Sequence, residues 1–222
     1  MIIDHNDPRF QALVNQQSEW RRANRWNGGV YYSMEIVQNI IPRVNTDRNW
    51  VTVDLPMHPE AFIDHSIAFV HHNINTHWYE QWRGKDVILV CGMPETVDKV
   101  KQYGKAIYLP LSVDVEYVTR FRAVRKTKDT CFVGRPVKRT KQLPAGIDYL
   151  QSMPRELLLT ELAQYEKAYA VDRCAIEAKI LDCEVLDYGY NYGVPHPPDF
   201  WEIIDNSEAA EMLNVMVRNI DG

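Results

Sequence analysis

Strand-like and helix-like segments alternate along the chain, and this alternation narrows the possible folds more than any other feature of the sequence. The strand-like runs are short, rich in β-branched and other apolar residues, and bounded by turn residues. They are Trp50–Leu55, Ile67–His72, Asp86–Cys91, Ala106–Leu109, Thr130–Val133, Tyr169–Val171 and Cys183–Leu186. Helical patterns occupy Glu35–Ile41, Pro94–Tyr103, Ser152–Gln164 and Ala175–Leu181. Because parallel strands need crossover connections, which are usually helices, the sequence predicts an α/β fold with parallel sheets.

These elements fall into two sets, separated by a turn at Leu109–Asp114. We expect a first domain at 1–110 and a second at 111–205, both small but viable. In 206–222, apolar residues repeat at helical spacing after Ser207, a residue suited to cap a helix. This last helix is expected to pack back on the body of the protein. At the other end of the chain, Gln16–Trp26 has the composition of a surface helix.

The length of the apolar runs and the spacing of the cysteines limit the classes of protein to which this chain can belong. The runs are strand-sized, far short of the roughly 20 residues that a membrane-spanning helix needs. The first residues lack the basic and apolar blocks of a signal peptide. Four scattered cysteines without a CxxC pair favour free thiols over disulfides. The sequence therefore predicts a cytoplasmic protein without a membrane partner.

Positive charge is concentrated in one segment of the chain. The formal net charge is −5, yet Thr119–Lys141 contains nine Lys and Arg residues against the single acid Asp129. A basic segment in an acidic protein indicates a site for phosphate, on a nucleotide or on nucleic acid. A solvated basic loop is the alternative.

Within this segment, Gly134 and Arg135 follow a strand-like run, and Lys138 and Lys141 come soon after. Glycine at the end of a strand lets the backbone approach a ligand closely, and Arg and Lys side chains contact diphosphates. The pattern favours a diphosphate site, with a turn glycine beside surface charges as the alternative.

A second motif is the strand–turn–helix that begins at Tyr169. A helix that begins directly after a strand presents unpaired N–H groups to an anion, and an acid in its second turn can reach ribose hydroxyls. Asp172 is suited to cap this helix, Arg173 follows it, and Glu177 is the acid. The alternative for Glu177 is an exposed helical glutamate, although Leu181 at i+4 offers it no ionic partner.

Together these motifs resemble the C-terminal domain of GT-B glycosyltransferases. The shared elements occur in the same order and at similar spacing; they are Leu109-Pro-Leu-Ser-Val-Asp114, Phe132-Val-Gly-Arg135 with lysines after it, Ser152-x-Pro-Arg-Glu-Leu-Leu, Tyr169–Val171, Ile176-Glu-Ala178 and Cys183-Glu-Val185. The resemblance implies two small Rossmann-like domains, of which the N-terminal one is abridged. The chain departs from the family at Asp182 and Gln142, where glycine is usual, and at Asp172-Arg173, which replace an acid.

The resemblance implies a nucleoside-diphosphate sugar as co-substrate, with no other cofactor and no metal. Arg135 and one of Lys138 or Lys141 would hold the diphosphate, and Glu177 would bind the ribose. Gly134, Asp172 and Arg173 complete the donor site that we expect in the second domain.

Asn27-Gly28-Gly29-Val30 is similar to the glycine-rich loop with which the family's N-terminal domain faces the donor. A plain turn is the alternative for Gly28 and Gly29. The activity implied is hexosyl or pentosyl transfer to an acceptor hydroxyl, with retention at the sugar carbon, in a cleft between the domains.

Catalytic candidates come from the first domain. His71 and His72 finish a strand-like run, and strand ends of an open α/β sheet face the ligand crevice. We predict a catalytic or acceptor-positioning role for them, and Asp64 is a comparable candidate for the base that removes the acceptor proton. Structural histidines are the main alternative. Metal ligands are disfavoured, because adjacent residues of a strand point to opposite faces.

The acceptor is less constrained by the sequence. Aromatic residues interleaved with arginine in the N-terminal half, such as Trp20, Arg21, Arg22 and Trp26, suit stacking on nucleic acid or ordinary packing. DNA with a hydroxylated or hydroxymethylated base is one possible acceptor, as for virus-encoded enzymes that act in the host cytoplasm. The alternative function is a non-catalytic GT-B-like module that binds a nucleotide or sugar. Other common nucleotide-using α/β enzymes are disfavoured, since GxxxxGK[ST] and GxGxxG motifs are absent.

Overall fold

A computed structural model describes residues 28–52, 62–70, 76–134, 142–151, 153–187 and 194–222. These residues form two four-stranded parallel sheets with helices, which confirms the predicted α/β class. The chain divides into two compact units. The first contains Gly29–Leu111 and Asn206–Gly222, and the second contains Ser112–Asp205, wherever these ranges are described.

The elements are numbered in chain order. The described helices are α1 (Gly28–Glu35), α2 (Pro94–Val100), α3 (Val115–Thr119), α4 (Arg155–Leu162), α5 (Asp172–Ile180) and α6 (Asn206–Asp221). α1 continues as a π-helical turn at Ile36–Ile40 and a 3₁₀ turn at Ile41–Arg43, and further 3₁₀ segments are Thr76–Trp82 and Pro198–Phe200. The strands are β1 (Asn49–Val51), β2 (Ser66–Val70), β3 (Val87–Cys91), β4 (Lys105–Tyr108), β5 (Lys128–Val133), β6 (Asp148–Leu150), β7 (Tyr165–Tyr169) and β8 (Glu184–Leu186).

The first sheet has the strand order β1-β2-β3-β4, and all of its neighbours are parallel. Every residue of β2 and β3 is buried, as expected for parallel strands that are covered on both faces. Phe62, Tyr79 and Trp82 join these strands in the core, together with Val100 of α2. Burying such a side chain contributes roughly 1.5–3 kcal/mol, so this apolar core is the main source of stability in the first unit.

The second sheet has the order β6-β5-β7-β8, again with parallel neighbours. The chain passes from β5 to β6 on one side, then returns to the other side of β5 for β7, and β8 continues outward. The direction of winding therefore reverses between β5 and β7. Such a reversal is a topological switch point, and ligands of open α/β sheets bind there, outside the carboxyl ends of the strands.

The end of α5 shows how a local motif shapes the second unit. The N–H groups of Asp182 and Cys183 donate to the carbonyls of Lys179 and Ala178, at 3.0 and 2.9 Å. This is the Schellman arrangement, and it requires a left-handed residue, here Asp182 with φ 59°. Glycine is the usual residue at such a position because it has no Cβ to clash.

Several boundaries differ from those predicted. β7 begins four residues before the predicted run Tyr169–Val171 and ends two residues before that run ends, because the polar pair Glu166-Lys167 interrupts the apolar pattern of the strand. α1 begins at Gly28 rather than at Glu35, and Ser207 lies inside α6 rather than capping it. β6 and α3 were not predicted, since β6 has three residues of which two are exposed. The predicted helix at Gln16–Trp26 lies outside the described residues.

Candidate functional site

The switch point of the second sheet brings together two of the motifs found in the sequence. β5 and β7 are paired so that Phe132 lies opposite Tyr169. Gly134 and Val171 each follow two residues later, and α5 begins at Asp172. The glycine after β5 and the start of α5 therefore occupy neighbouring positions at the carboxyl edge of the sheet. A ligand of this fold is expected at this edge.

Two residues at this edge have left-handed backbone conformations. Gly134 has φ 131° and Asp172 has φ 54°. Asp172 does not cap α5 as predicted, because Val171 is the residue at the cap and Asp172 is the first helical residue. Its carboxylate lies in the first turn, where a negative charge is favourable to the helix dipole. Unusual backbone conformations of non-glycine residues concentrate at functional sites, where surrounding structure maintains them.

A buried ionic network lies beneath this edge, between α4 and α5. Arg155, the first residue of α4, donates a hydrogen bond from Nη1 to Oε1 of Glu177. Nη2 of Arg173, in the first turn of α5, is 3.7 Å from the same oxygen. The side chains of Arg155, Glu177 and Arg173 are only 1%, 2% and 10% exposed. One carboxylate oxygen thus joins the starts of two helices that both follow carboxyl ends of strands.

This network changes the interpretation of Glu177. The sequence predicts a ribose ligand or an exposed helical glutamate, whereas the carboxylate is buried and bound to Arg155. Sequence reasoning missed Arg155 because it lies 22 residues away in the chain. A signal was present: Glu177 is flanked by Ala175, Ile176 and Ala178, and an acid among such residues has to find a cation when it is buried.

Several cations in the described part of the basic segment, 119–134, have partners at the amino edge of the second sheet. Arg122 and Lys126, before the strand, donate to the carbonyls of Ile180 and Leu181 at the end of α5. Cations are favourable at that end of a helix. Lys128 is paired with Glu161 at 2.8 Å. Lys126 and Lys128 also line an open cavity of about 470 Å³. These contacts belong to the amino edge of the sheet, away from the switch point.

Of the predicted diphosphate contacts, only Gly134 can be placed at the carboxyl edge of β5. Gly134 is described there, while Arg135, Lys138 and Lys141 lie outside the described residues. Their assignment stays a prediction.

Asp64 lies at the amino edge of the first sheet, the edge opposite to the one where ligands of parallel sheets are expected. It precedes β2, and its Oδ1 accepts a hydrogen bond from the N–H of Asp86, which precedes β3, at 2.9 Å. This contact links the residues that precede β2 and β3. The assignment of Asp64 as a catalytic base stays a prediction. His71 and His72 follow the carboxyl end of β2 and lie outside the described residues.

The structure places the glycine pair differently from the prediction. Gly28 and Gly29 form the first turn of α1 rather than a loop ahead of a helix at Glu35. The first N–H groups of a helix lack partners within the helix, so they can donate hydrogen bonds to a ligand. Their assignment to the donor stays a prediction.

The described ranges contain neither a metal-binding cluster nor a membrane-spanning helix. No set of three His, Cys, Asp or Glu residues there has an arrangement that would hold a metal ion. No helix in those ranges is long and apolar enough to cross a membrane. The cysteines are free, as predicted, and burial raises the pKa of the Cys91 thiol to about 12. That thiol is therefore a poor nucleophile near neutral pH.

Comparisons with protein-family models, with curated proteins and with solved structures found no match for this chain. The likeness to GT-B glycosyltransferases therefore depends on the order and spacing of its own motifs.

Proposed function

We propose that this protein is a glycosyltransferase that moves a sugar from a nucleoside-diphosphate sugar to an acceptor hydroxyl, with a GT-B-like arrangement of its two units. The observation that carries the proposal is the switch point of the second sheet. Gly134 and the first turn of α5 lie at the ends of adjacent strands there, with Arg173 beside them. This is the position at which α/β proteins bind phosphorylated ligands.

The chemistry of the reaction fits these residues. The acceptor oxygen forms a bond to the anomeric carbon, the bond from that carbon to the diphosphate oxygen breaks, and the diphosphate leaves with the electron pair. The acceptor proton passes to a base, for which His71 or His72 is proposed. Negative charge grows on the departing diphosphate, and fixed cations such as Arg135, Lys138 or Lys141 and Arg173 would stabilise it most in the transition state.

A thermal-shift series tests donor binding. The purified protein is heated with UDP, GDP or ADP, and with their sugars, as wild type, Arg135→Ala and Arg120→Ala. At a hundredfold excess over the dissociation constant, a ligand of the native state adds about 2.7 kcal/mol of stability. We expect one nucleotide to raise the melting temperature of the wild type, and Arg135→Ala to abolish the shift.

Arg120→Ala is the matched control. Arg120 is an exposed arginine of the second unit, paired with Glu116 rather than placed at the carboxyl edge. It should leave the nucleotide shift unchanged. If no nucleotide stabilises the wild type, the donor assignment is wrong.

Turnover separates the enzyme from the alternative of a non-catalytic binding module. Release of nucleoside diphosphate from the preferred sugar donor is measured with and without acceptor. Tight binding without release, and without donor hydrolysis, would assign the chain to the binding module.

DNA is proposed as the acceptor, through a hydroxylated or hydroxymethylated base. A duplex that contains a hydroxymethylated base and its unmodified counterpart are incubated with labelled donor at several salt concentrations. We expect label only on the modified duplex, with transfer falling as salt rises, because phosphate contacts release counterions. If the protein hydrolyses its donor but labels neither duplex, the acceptor is a different molecule.

A further inference from the structure

The oxygen Oε1 of Glu177 lies close to two guanidinium groups. Arg155 hydrogen-bonds to it, and Arg173 approaches it from one helical turn earlier in α5. Each of the three side chains is at least nine-tenths buried. The network therefore connects the first residue of α4 to the first turn of α5 inside the second unit.

A ribose ligand needs a carboxylate that solvent, and hence a sugar hydroxyl, can reach. Glu177 is 2% exposed, and its carboxylate is already hydrogen-bonded. Turning it toward a ribose would leave the buried charge of Arg155 without this partner, which is strongly unfavourable. Glu177 is thus better suited to hold arginines in place than to contact a sugar.

Arg173 is the most exposed member of the network and lies nearest the start of α5. An unconstrained arginine side chain samples many rotamers, and each must be restricted when a ligand binds. A fixed guanidinium loses less freedom and presents its donors in one orientation. Holding Arg173 by a carboxylate that is itself anchored by Arg155 would supply that restriction.

We propose that Glu177 and Arg155 are positioning residues, which orient Arg173 toward the diphosphate of the donor, and that Glu177 does not bind the ribose. This inference rests on the donor site proposed above. It assigns a role to Arg155, which the sequence did not reveal, and replaces the role expected for Glu177.

A pair of ligands separates the two roles of Glu177. Inorganic pyrophosphate has the diphosphate but no ribose, and the nucleoside diphosphate that best stabilises the wild type has both. Their dissociation constants are measured by calorimetry for wild type, Glu177→Gln and Arg155→Lys. If Glu177 acts through Arg173, each substitution changes both affinities by a common factor, about tenfold for a lost contact to a charged group. The ratio of the pyrophosphate affinity to the nucleoside diphosphate affinity should then stay within about twofold of its wild-type value, which is a much smaller change than the tenfold loss of each affinity.

Other outcomes overturn the inference. A loss confined to the nucleoside diphosphate would make Glu177 a ribose ligand. No change in either affinity would remove the positioning role. If the wild type binds the nucleoside diphosphate but not pyrophosphate, the binding energy comes from the nucleoside and not from contacts of Arg173 with the diphosphate.

Folding and the proposed function are tested separately. Circular dichroism and thermal melting without ligand establish that each variant is folded, and Arg155→Lys, which keeps the charge, carries the test if Glu177→Gln does not fold. Arg173→Lys should weaken both ligands while leaving the unliganded melt close to wild type. If the wild type binds neither ligand, the donor site itself is wrong, a result distinct from failure of the positioning role.

Discussion

Each unit buries an arginine against carboxylates, but at opposite edges of its sheet. Arg48, 3% exposed, directly precedes β1 at the amino edge of the first sheet and contacts Asp221 and Asp86, which are 33% and 43% exposed. Arg155 begins a helix at the carboxyl edge of the second sheet, and its partner Glu177 is almost fully buried. The carboxylates that pair with the buried arginine are therefore partly exposed to solvent in the first unit and buried in the second.

The position of each network in its fold explains the difference. The Arg48 network joins the start of β1 to the end of α6, with Nη2 of Arg48 2.6 Å from Asp221, and this links segments far apart in the chain. Ligand sites of parallel sheets lie at the carboxyl edge, so an ionic network at the amino edge is free to serve stability alone. The first sheet also winds in one direction over its described strands, whereas the second reverses. Topology, rather than residue type, thus distinguishes Arg48 from Arg155, which lies at the edge where a ligand is proposed to bind.

The largest effect is expected for Glu177→Ala. Removing the carboxylate takes away the buried anion that is hydrogen-bonded to Arg155, which should lower the free energy of unfolding by about 3–5 kcal/mol. Urea denaturation measures the change. Glu116→Ala, which removes an exposed acid paired with Arg120, is the control and should cost less than about 0.5 kcal/mol.

Arg48→Met should destabilise less, by about 1–2 kcal/mol, because water can solvate the released Asp86 and Asp221. Methionine keeps most of the buried volume of the side chain. The same denaturation experiment gives the value, and nucleotide binding should be unchanged. A cost equal to that of Glu177→Ala, or a loss of nucleotide affinity, would break the contrast between the two networks.

Asp182→Gly is expected to stabilise the second unit by up to about 1 kcal/mol, because glycine adopts the left-handed conformation without a Cβ clash. The weak pairing of Asp182 with Arg122 at 3.4 Å subtracts little from this gain. Thermal unfolding compares it with Asp182→Ala, which keeps the clash and loses the polar side chain. Stabilisation by alanine as well would show that backbone strain at this position is not the cause.

The smallest effect concerns His65 in the Arg48 network. The hydrogen bond to Asp86, followed by the one to Asp47, raises the pKa of His65 above its ordinary value. A raised pKa means that the folded state holds the proton more tightly, so this stabilisation is complete below about pH 6.5 and is lost as pH rises through the folded pKa. Because the side chain is about half exposed, solvent screening limits it to less than about 1 kcal/mol.

His65→Asn tests this pH dependence and retains the left-handed backbone, which asparagine tolerates. The free energy of unfolding is measured from about pH 5.5 to 8.5 for both proteins. We expect the advantage of the wild type to shrink as pH rises across this range. An advantage that stays constant would mean that His65 stabilises the fold by packing rather than by charge.

Much of the secondary structure could be predicted because its signals are local. β2 and β3 are uninterrupted apolar runs, which the structure buries completely. β6 could not be predicted, because a three-residue strand with two exposed side chains has no apolar run.

The chain by itself determined the α/β class, the apolar strands, the glycine after β5 and the strand–helix junction at Asp172. These follow from backbone geometry and from patterns only a few residues long. Only the tertiary structure decided the strand order of each sheet, the contacts of Arg122 and Lys126 with the end of α5, and the pairing of Arg155 with Glu177. Such features depend on contacts between residues distant in sequence, whose stability comes from burial and charge pairing once the sheets are assembled.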